Sequence, residues 1–444
     1  MRIVFYSTNS SAFNSQIIRN SRYPSCGKDW EDCASIYPEH EFIIVSAEPG
    51  TFLISGMSAR ENENKSGRVK YFILKDEDVS WTAEKIISLS PDVAVAATFW
   101  TPPYDWLSVQ DALVAEELIS AGIRTVCHPL KTARLCMDKS ATHNFLEEHG
   151  FSVPRALHVH HGLFWCERGS RSISTNVYKE AVLHELKKMP LPVVIKDCAG
   201  LSSYGAELAG TFKEAHHYLK SPRTTGDRIV EEYIDGIQAG LEIYGTPGNY
   251  TVLPPFFFSV NRYGITSPKQ SIKLGPAQDE RFRISFLKEE MVRLAELLKL
   301  NGAAQVDLIF KDGTWYVIEI NARLSGMTET YAAGCGISVA QMLTCLALGK
   351  TNGLSLRNFA CNFKLPLMGE EQLRNLSETQ GISLVRQIHN TAARQEREKG
   401  YCEIIISSGT INEIRQVLKS LEVSSAAYLE PIFMRNFNSL AELF

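Results

Sequence analysis

The sequence is short of the features that several function classes require. Lys and Arg number 46 against 50 Asp and Glu, giving a formal net charge of −4 with no basic block. A nucleic-acid surface needs clustered positive charge, so none is expected. The apolar run "PPFFFSV" is far below the roughly 20 residues that cross a bilayer, so no membrane partner is expected either. "MRIVFYSTNS" has the pattern of a first core strand, not of a leader peptide. The ten cysteines form no CxxC and no regular spacing, and Cys335 and Cys345 fall in stretches patterned as packed helix. Reduced, buried thiols of a cytoplasmic protein are the expectation, not a disulfide frame. The turn after the first strand, "STNSSAFN", has no glycine, which argues against a dinucleotide fingerprint there. Repeats, low-complexity tracts and a biotin-carrying Met-Lys-Met are missing too.

What remains is a globular chain of 444 residues, 44% hydrophobic and 22% charged, long enough for two to four full cores. Residues 1–130 alternate strand-like runs ("RIVFYS", "EFIIVS", "KYFILK", "DVAVAATF", "RTVCH") with helical stretches. One of these, "SVQDALVAEELISAG", has Gly122 as its stop. Such alternation predicts an open, largely parallel sheet. A helix capped by Asp138 runs to Gly150, where "FSVP" ends it. His158, His160 and His161 have no Cys or Glu partners at ligand spacing and are expected on an exposed strand or loop. Trp165 and the "PPFFF" run are expected mostly in core. The tail carries the strand "YCEIIIS", a turn at Ser408–Gly409 and the helix "INEIRQVLKSL".

The stretch "YVIEINARLSGMTE" poses a chemical problem. Its apolar strand delivers Glu319, Asn321 and Arg323, although a buried carboxylate without a partner costs several kcal/mol, roughly. A hard cation would resolve it, since Mg²⁺ takes oxygen ligands and keeps substrate phosphates in its shell. The preceding segment, "GAAQVDLIFKDGTW", predicts a hairpin. A plain two-residue loop at Asp312–Gly313 would set Asp307 against Ile318 and send Asp307 and Glu319 to opposite faces. A three-residue loop with left-handed Gly313 would put both on one face, with Asn321 following. That second geometry is the one expected. Upstream, Lys196 ends "PVVIK" and leads into a loop with Gly200, Ser202, Ser203 and Gly205, whose backbone N–H groups can cradle phosphate. Lys139 opens a helix. "RIVEEYIDG" is an extended segment, an edge strand by itself, able to offer backbone groups and an acid to an adenine.

In order, "MDKS", "VVIKDCAGLSSYG", "IVEEYIDG", "QVDLIF" and "VIEINARLSG" resemble the ATP-grasp superfamily. Nearer likenesses are the carboxylate–amine ligases, including D-alanine–D-alanine and L-amino-acid ligases; the tail resembles the C-terminal unit of the latter. The resemblance implies an α/β ATP-grasp fold of two α+β subdomains clasping ATP. An N-terminal α/β domain at 1–130 would precede a small subdomain at 131–225 and a large one at 226–354, with a C-terminal α+β unit at 355–444. It also implies ATP with one or two Mg²⁺ ions, replaceable by Mn²⁺. Lys139, Lys196, Ser202, Ser203 and Gly205 would meet the phosphates, and Glu231, Glu232 and the backbone at Ile234 the adenine. Asp307, Glu319 and Asn321 would hold metal. Arg323 would steady the transferred phosphoryl group or an oxyanion, and Lys273 would close over the site. Gln238 stands in "DGIQ" where relatives often carry Glu for the ribose, implying a weaker contact. The implied activity is ADP-forming amide or peptide-bond formation through an acylphosphate, on small carboxylate and amine substrates such as amino acids, with a homodimer left open. The rivals are a kinase on the same fold and a nucleotide-binding protein without chemistry.

Overall fold

Five strands, β1 (Arg2–Ser7), β2 (Glu41–Ser46), β3 (Val69–Ile73), β4 (Val93–Ala96) and β5 (Arg124–Val126), make a parallel sheet in the order β3-β2-β1-β4-β5. The computed structural model describes residues 1–8, 26–46, 68–74, 78–99, 106–169, 172–199, 206–221, 226–260, 271–389, 400–423, 429 and 431–444. The sheet's apolar runs follow from burial on both faces. Ile3 and Phe5 pack toward Trp30 and Phe42, whereas Val4 and Tyr6 face Ile86, Val114 and Leu118. The helix Leu107–Ser120 covers the second face and stops where expected, with Gly122 left-handed at φ +83°. Strand order reverses between β1 and β4, leaving a crevice at their carboxyl ends.

The second sheet is antiparallel, in the order β6 (Ala156–Val159), β9 (Arg228–Glu232), β7 (Val193–Asp197), β8 (Glu207–Ala209). Helices Val177–Leu186 and Phe212–Leu219 pack on it through Val182, Leu186, Ala215 and Leu219. Two expectations change here. The "RIVEE" strand is interior, bonded to β6 and β7, so its apolar residues are buried on a paired strand and not at an edge. A boundary at 225/226 therefore cuts β9 from the sheet it completes. Of the three histidines, His158 is exposed on β6 and His160 caps the short helix His161–Phe164.

The third sheet joins β15 (Thr314–Asn321), β14 (Gly302–Lys311), β10 (Ile237–Thr246), β12 (Phe256–Phe258), β13 (Lys273–Gly275), β16 (Phe359–Leu365), β18 (Gly400–Ser408) and β17 (Ile382–His389), with β11 (Asn249–Val252) paired to β10. The tail is thus not a separate unit: β13 bonds β16, and the sheet runs on unbroken past residue 354. Helices Ile284–Leu298, Ile411–Val423 and Pro431–Ala441 share one apolar core with it. Helices Thr328–Cys335 and Val339–Leu348 fill the space between this sheet and the first. Among the described residues no single helix is long and apolar enough to cross a membrane, and nine cysteines are free thiols, six of them buried. Phe256 and Phe257 are core, as expected of the aromatic run.

The β14–β15 hairpin corrects the expected turn. Lys311 pairs with Thr314, so the loop is the two residues Asp312 and Gly313, both left-handed at φ +49° and +78°. The parity problem is solved elsewhere. Leu308 pairs with Val317 but Asp307 pairs with Glu319, a β-bulge that leaves Ile318 as the extra residue. Asp307 and Glu319 therefore share a face as directly opposed residues, and Gln305 opposes Asn321 beyond them.

Candidate active site

The two carboxylates stand where three elements meet. Directly opposed cross-strand residues have Cβ atoms about 5 Å apart, so two charges repel at close range. Desolvation and then the Glu319 charge push the Asp307 carboxyl up to about 6, against the pull of Lys273, a hydrogen bond from Gln305 and Arg323. Gln305 Nε2 donates to Asp307 Oδ1 at 2.7 Å. On the ladder's other side Gly240 opposes Asp307; a Cβ there would meet Phe258 Cζ at 2.6 Å and Asp307 Oδ1 at 3.4 Å. A side chain there would have to move the Phe258 ring and would sit in contact with the carboxylate.

Lys139 reaches the pair from the small subdomain. Asp138 caps the helix Lys139–Glu148 by accepting from the N–H groups of Ser140 and Ala141. That start aims Lys139 at the large sheet, where its Nζ lies 3.0 Å from Glu319 Oε1. The Lys139 N–H also donates to the Cys198 carbonyl at 2.9 Å, so the helix start and the end of β7 are tied together. Lys196 on β7 pairs with Glu231 Oε2 at 2.5 Å. Glu231 is 4% exposed, and its carboxylate holds Lys196 in place. Glu232 is half-buried with its N–H donating to the Arg155 carbonyl, Ile234 is buried, and Gln238 on β10 pairs with Ile309 of β14. Ser202, Ser203 and Gly205 lie outside the described residues.

Arg323 follows β15 by two residues. Its Nη2 donates to Asn321 Oδ1 at 2.9 Å and its Nη1 to the Leu324 carbonyl at 3.1 Å. Lys273 enters the site from β13. Burial and then the nearby Lys364 lower its amine to about 8, while Glu403, Asp307 and Glu242 act in the opposite direction.

Residues matching the ATP-grasp domain family run from 136 to 327. This stretch is an ATP-grasp domain. Over 267 residues the chain is 23% identical to a carbamoyl-phosphate synthase of Methanobrevibacter smithii, covering 60% of this chain and 66% of that one. It is 27% identical over 250 residues to D-alanine–D-alanine ligase A of Bacillus cereus, covering 53% and 74%. The fold extends beyond the domain: the crystal structure of an L-amino acid ligase from Bacillus licheniformis superposes with TM-score 0.63 at 18% identity, covering 95% of this chain and 96% of that one. The chain thus carries the ATP-grasp fold together with its flanking units.

Sequence reading passed over several residues around this ATP-grasp site. Glu242, on β10, is 1% exposed and accepts from Ser325 Oγ at 2.6 Å, Thr328 Oγ1 at 2.8 Å and Tyr244 Oη at 2.5 Å. It anchors the loop that carries Arg323. Beyond Lys273, Arg386 bridges Glu329 and Glu403, and Asn362 Nδ2 donates to Glu403 Oε1 at 3.1 Å. The available signal was one charge inside an apolar strand, as in "LEIYG", "CEIII" and "LVRQI"; the partners were not readable.

Proposed function

We propose that the protein is an ATP-dependent carboxylate–amine ligase acting on amino acids or a small peptide, using ATP and Mg²⁺. The observation that carries the reading is the Asp307–Glu319 pair, with Lys139, Lys273 and Arg323 around it. Two opposed carboxylates, Asp307 buried and Glu319 partly exposed, and the Asn321 amide on one face suit a hard divalent cation. Among the described residues no three or more His, Cys, Asp or Glu cluster as metal ligands. Bound on that face, Mg²⁺ would neutralise phosphate charge.

The chain's own groups account for the rest. Lys196, fixed by Glu231, and Lys139, fixed at its helix start, offer positive charge to the phosphates of ATP. A substrate carboxylate attacks the γ-phosphorus in line, forming a C–O–P bond and breaking the bond to ADP. An amine then attacks the acyl carbon and phosphate departs. Arg323, braced by Asn321, donates to the oxyanion of that step. Lys273 supplies further charge while protonated.

A screen of paired amino acids for phosphate release, with mass detection of products, tests this. ADP, phosphate and a dipeptide or amide are expected. A phosphorylated substrate as the end product would make the protein a kinase, and ATP binding without turnover would remove catalysis altogether.

A further inference from the structure

The face of the third sheet that carries Asp307 and Glu319 does not end at the carboxylate pair. Gly240 opposes both Asp307 and Phe256, Phe258 opposes Lys273, and Lys273 opposes Asn362. Two residues on, Lys364 opposes Glu403, which opposes Arg386. Opposed residues share a face, as do residues two apart on a strand. A row of polar and charged groups thus runs from the carboxylate pair into β16, β18 and β17. Those strands lie beyond residue 327, where the match to the ATP-grasp family ends.

Arg386 is buried on β17 and pairs with two carboxylates, Glu403 of β18 and Glu329 of the helix Thr328–Cys335. Against the cost of burial, Arg386 and then Lys364 hold the Glu403 carboxyl below the usual carboxylate range. Asn362 Nδ2 donates to the same Glu403 and, at 2.7 Å, to Thr330 Oγ1. Two consecutive residues in the first turn of the helix are therefore tied to the sheet through one ion pair. Glu329 comes six residues after Arg323, and the helix begins at Met327 without a capping side chain.

Attachment alone does not call for these charges. Tyr331 and Ala332 of the same helix are buried in an apolar cluster with Phe256, Ala360 and Ile405. Apolar side chains of similar volume commonly match a buried ion pair in stability. What a guanidinium adds is direction, because its planar fork donates along fixed axes. A helix that slid or rolled would carry with it the loop that precedes it, and Arg323 in that loop. Glu242 holds the loop through Ser325 and Thr328, and Arg386 holds the helix beyond it.

We propose that Arg386 is a positioning residue for the reaction at Arg323: by bridging Glu329 and Glu403 it sets the helix that follows Arg323, so that β16–β18 keep this guanidinium where the oxyanion forms. The inference rests on the ligase reading for the step that Arg323 serves, and on the geometry for the hold on the helix. It makes turnover depend on strands outside the matched domain.

Two measurements on the full chain test it. One is amide hydrogen exchange with MgADP bound, read by mass spectrometry; the other is phosphate release from MgATP given the common amino acids together. Arg386→Lys keeps the charge but not the fork, and Glu329→Gln cuts the link to the helix while leaving Arg386 on Glu403. In both, exchange over 323–335 should quicken at least about tenfold while that of β14 and β15 is kept. Per MgADP site, kcat should fall at least about tenfold with KM for ATP within about twofold of wild type, since the lysines that meet ATP are untouched. The triple variant Arg386→Met, Glu329→Gln, Glu403→Gln carries no unpaired charge at these positions and serves where a single change does not fold; the same losses are expected. Unchanged exchange, or quicker exchange with kcat unchanged, would overturn the proposal. A wild type that releases no phosphate would overturn the ligase reading alone, and exchange would still decide the hold on the helix.

Discussion

Asp307 and Glu319 can face each other only where something compensates their charges, and that sets what single substitutions should do. Glu319→Gln keeps the shape and the β15 ladder but offers a poor Mg²⁺ ligand. Turnover should be lost with the melting temperature nearly unchanged; near-native turnover at saturating Mg²⁺ would remove Glu319 from the metal site. Lys273 carries a pH signature. Its amine, lowered to about 8, is charged below that pH and neutral above it. kcat/KM for ATP should therefore fall as pH rises through about 8. Lys273→Arg, which stays protonated, should move that limb to higher pH, and a limb unmoved by the substitution would assign it to another group. At this scale the sequence was informative for Asp307, Glu319, Asn321 and Arg323, because acids and an amide in a buried strand have few other uses. The pairing of Glu231 with Lys196 was not legible, since the two lie 35 residues apart and only the folded sheet joins them.

Among elements, the β14–β15 hairpin shows how far parity reasoning reaches. A regular two-residue loop would have parted the carboxylates, and the loop does have two residues. The bulge at Ile318 restores the shared face, and no turn residue marks a bulge inside the apolar run "YVIEI". Register at the metal face is thus set five residues beyond the turn. Gly313→Val should cost roughly 1–2 kcal/mol, because a β-branched residue fits φ +78° poorly although a Cβ there touches nothing. Mg²⁺ dependence should stay normal; a large change in it would return control of register to the turn. Gly240→Ala is the contrasting change. Its Cβ would displace the Phe258 ring beside Asp307, so activity should drop more than stability does.

At the scale of the molecule, the parallel sheet is tied to the ATP-grasp domain by His128. Its imidazole, two residues past β5, bonds Asn301 and Ala303 at the head of β14. Burial lowers it from 6.5 to about 4. A His lowered in the folded state contributes fully above pH 6.5, and that contribution is lost as pH falls from 6.5 toward 4, on the order of 3 kcal/mol in all. The stability difference between wild type and His128→Gln, from urea midpoints at pH 7 and pH 5, should therefore shrink at pH 5. A difference constant with pH would contradict this. Strand and helix alternation made the first sheet legible, but the continuation of the third sheet through β16–β18 was not, because β13 pairs with β16 from Lys273 to as far away as Asn362 and leaves no local trace. The central claim, that a substrate carboxylate is phosphorylated on this framework and then meets an amine, has one most direct measurement. The enzyme is given ATP, Mg²⁺ and amino acids carrying oxygen-18 in their carboxylates, and the released phosphate is analysed by mass. Acylphosphate chemistry predicts one oxygen-18 in each phosphate released, whereas unlabelled phosphate would contradict it.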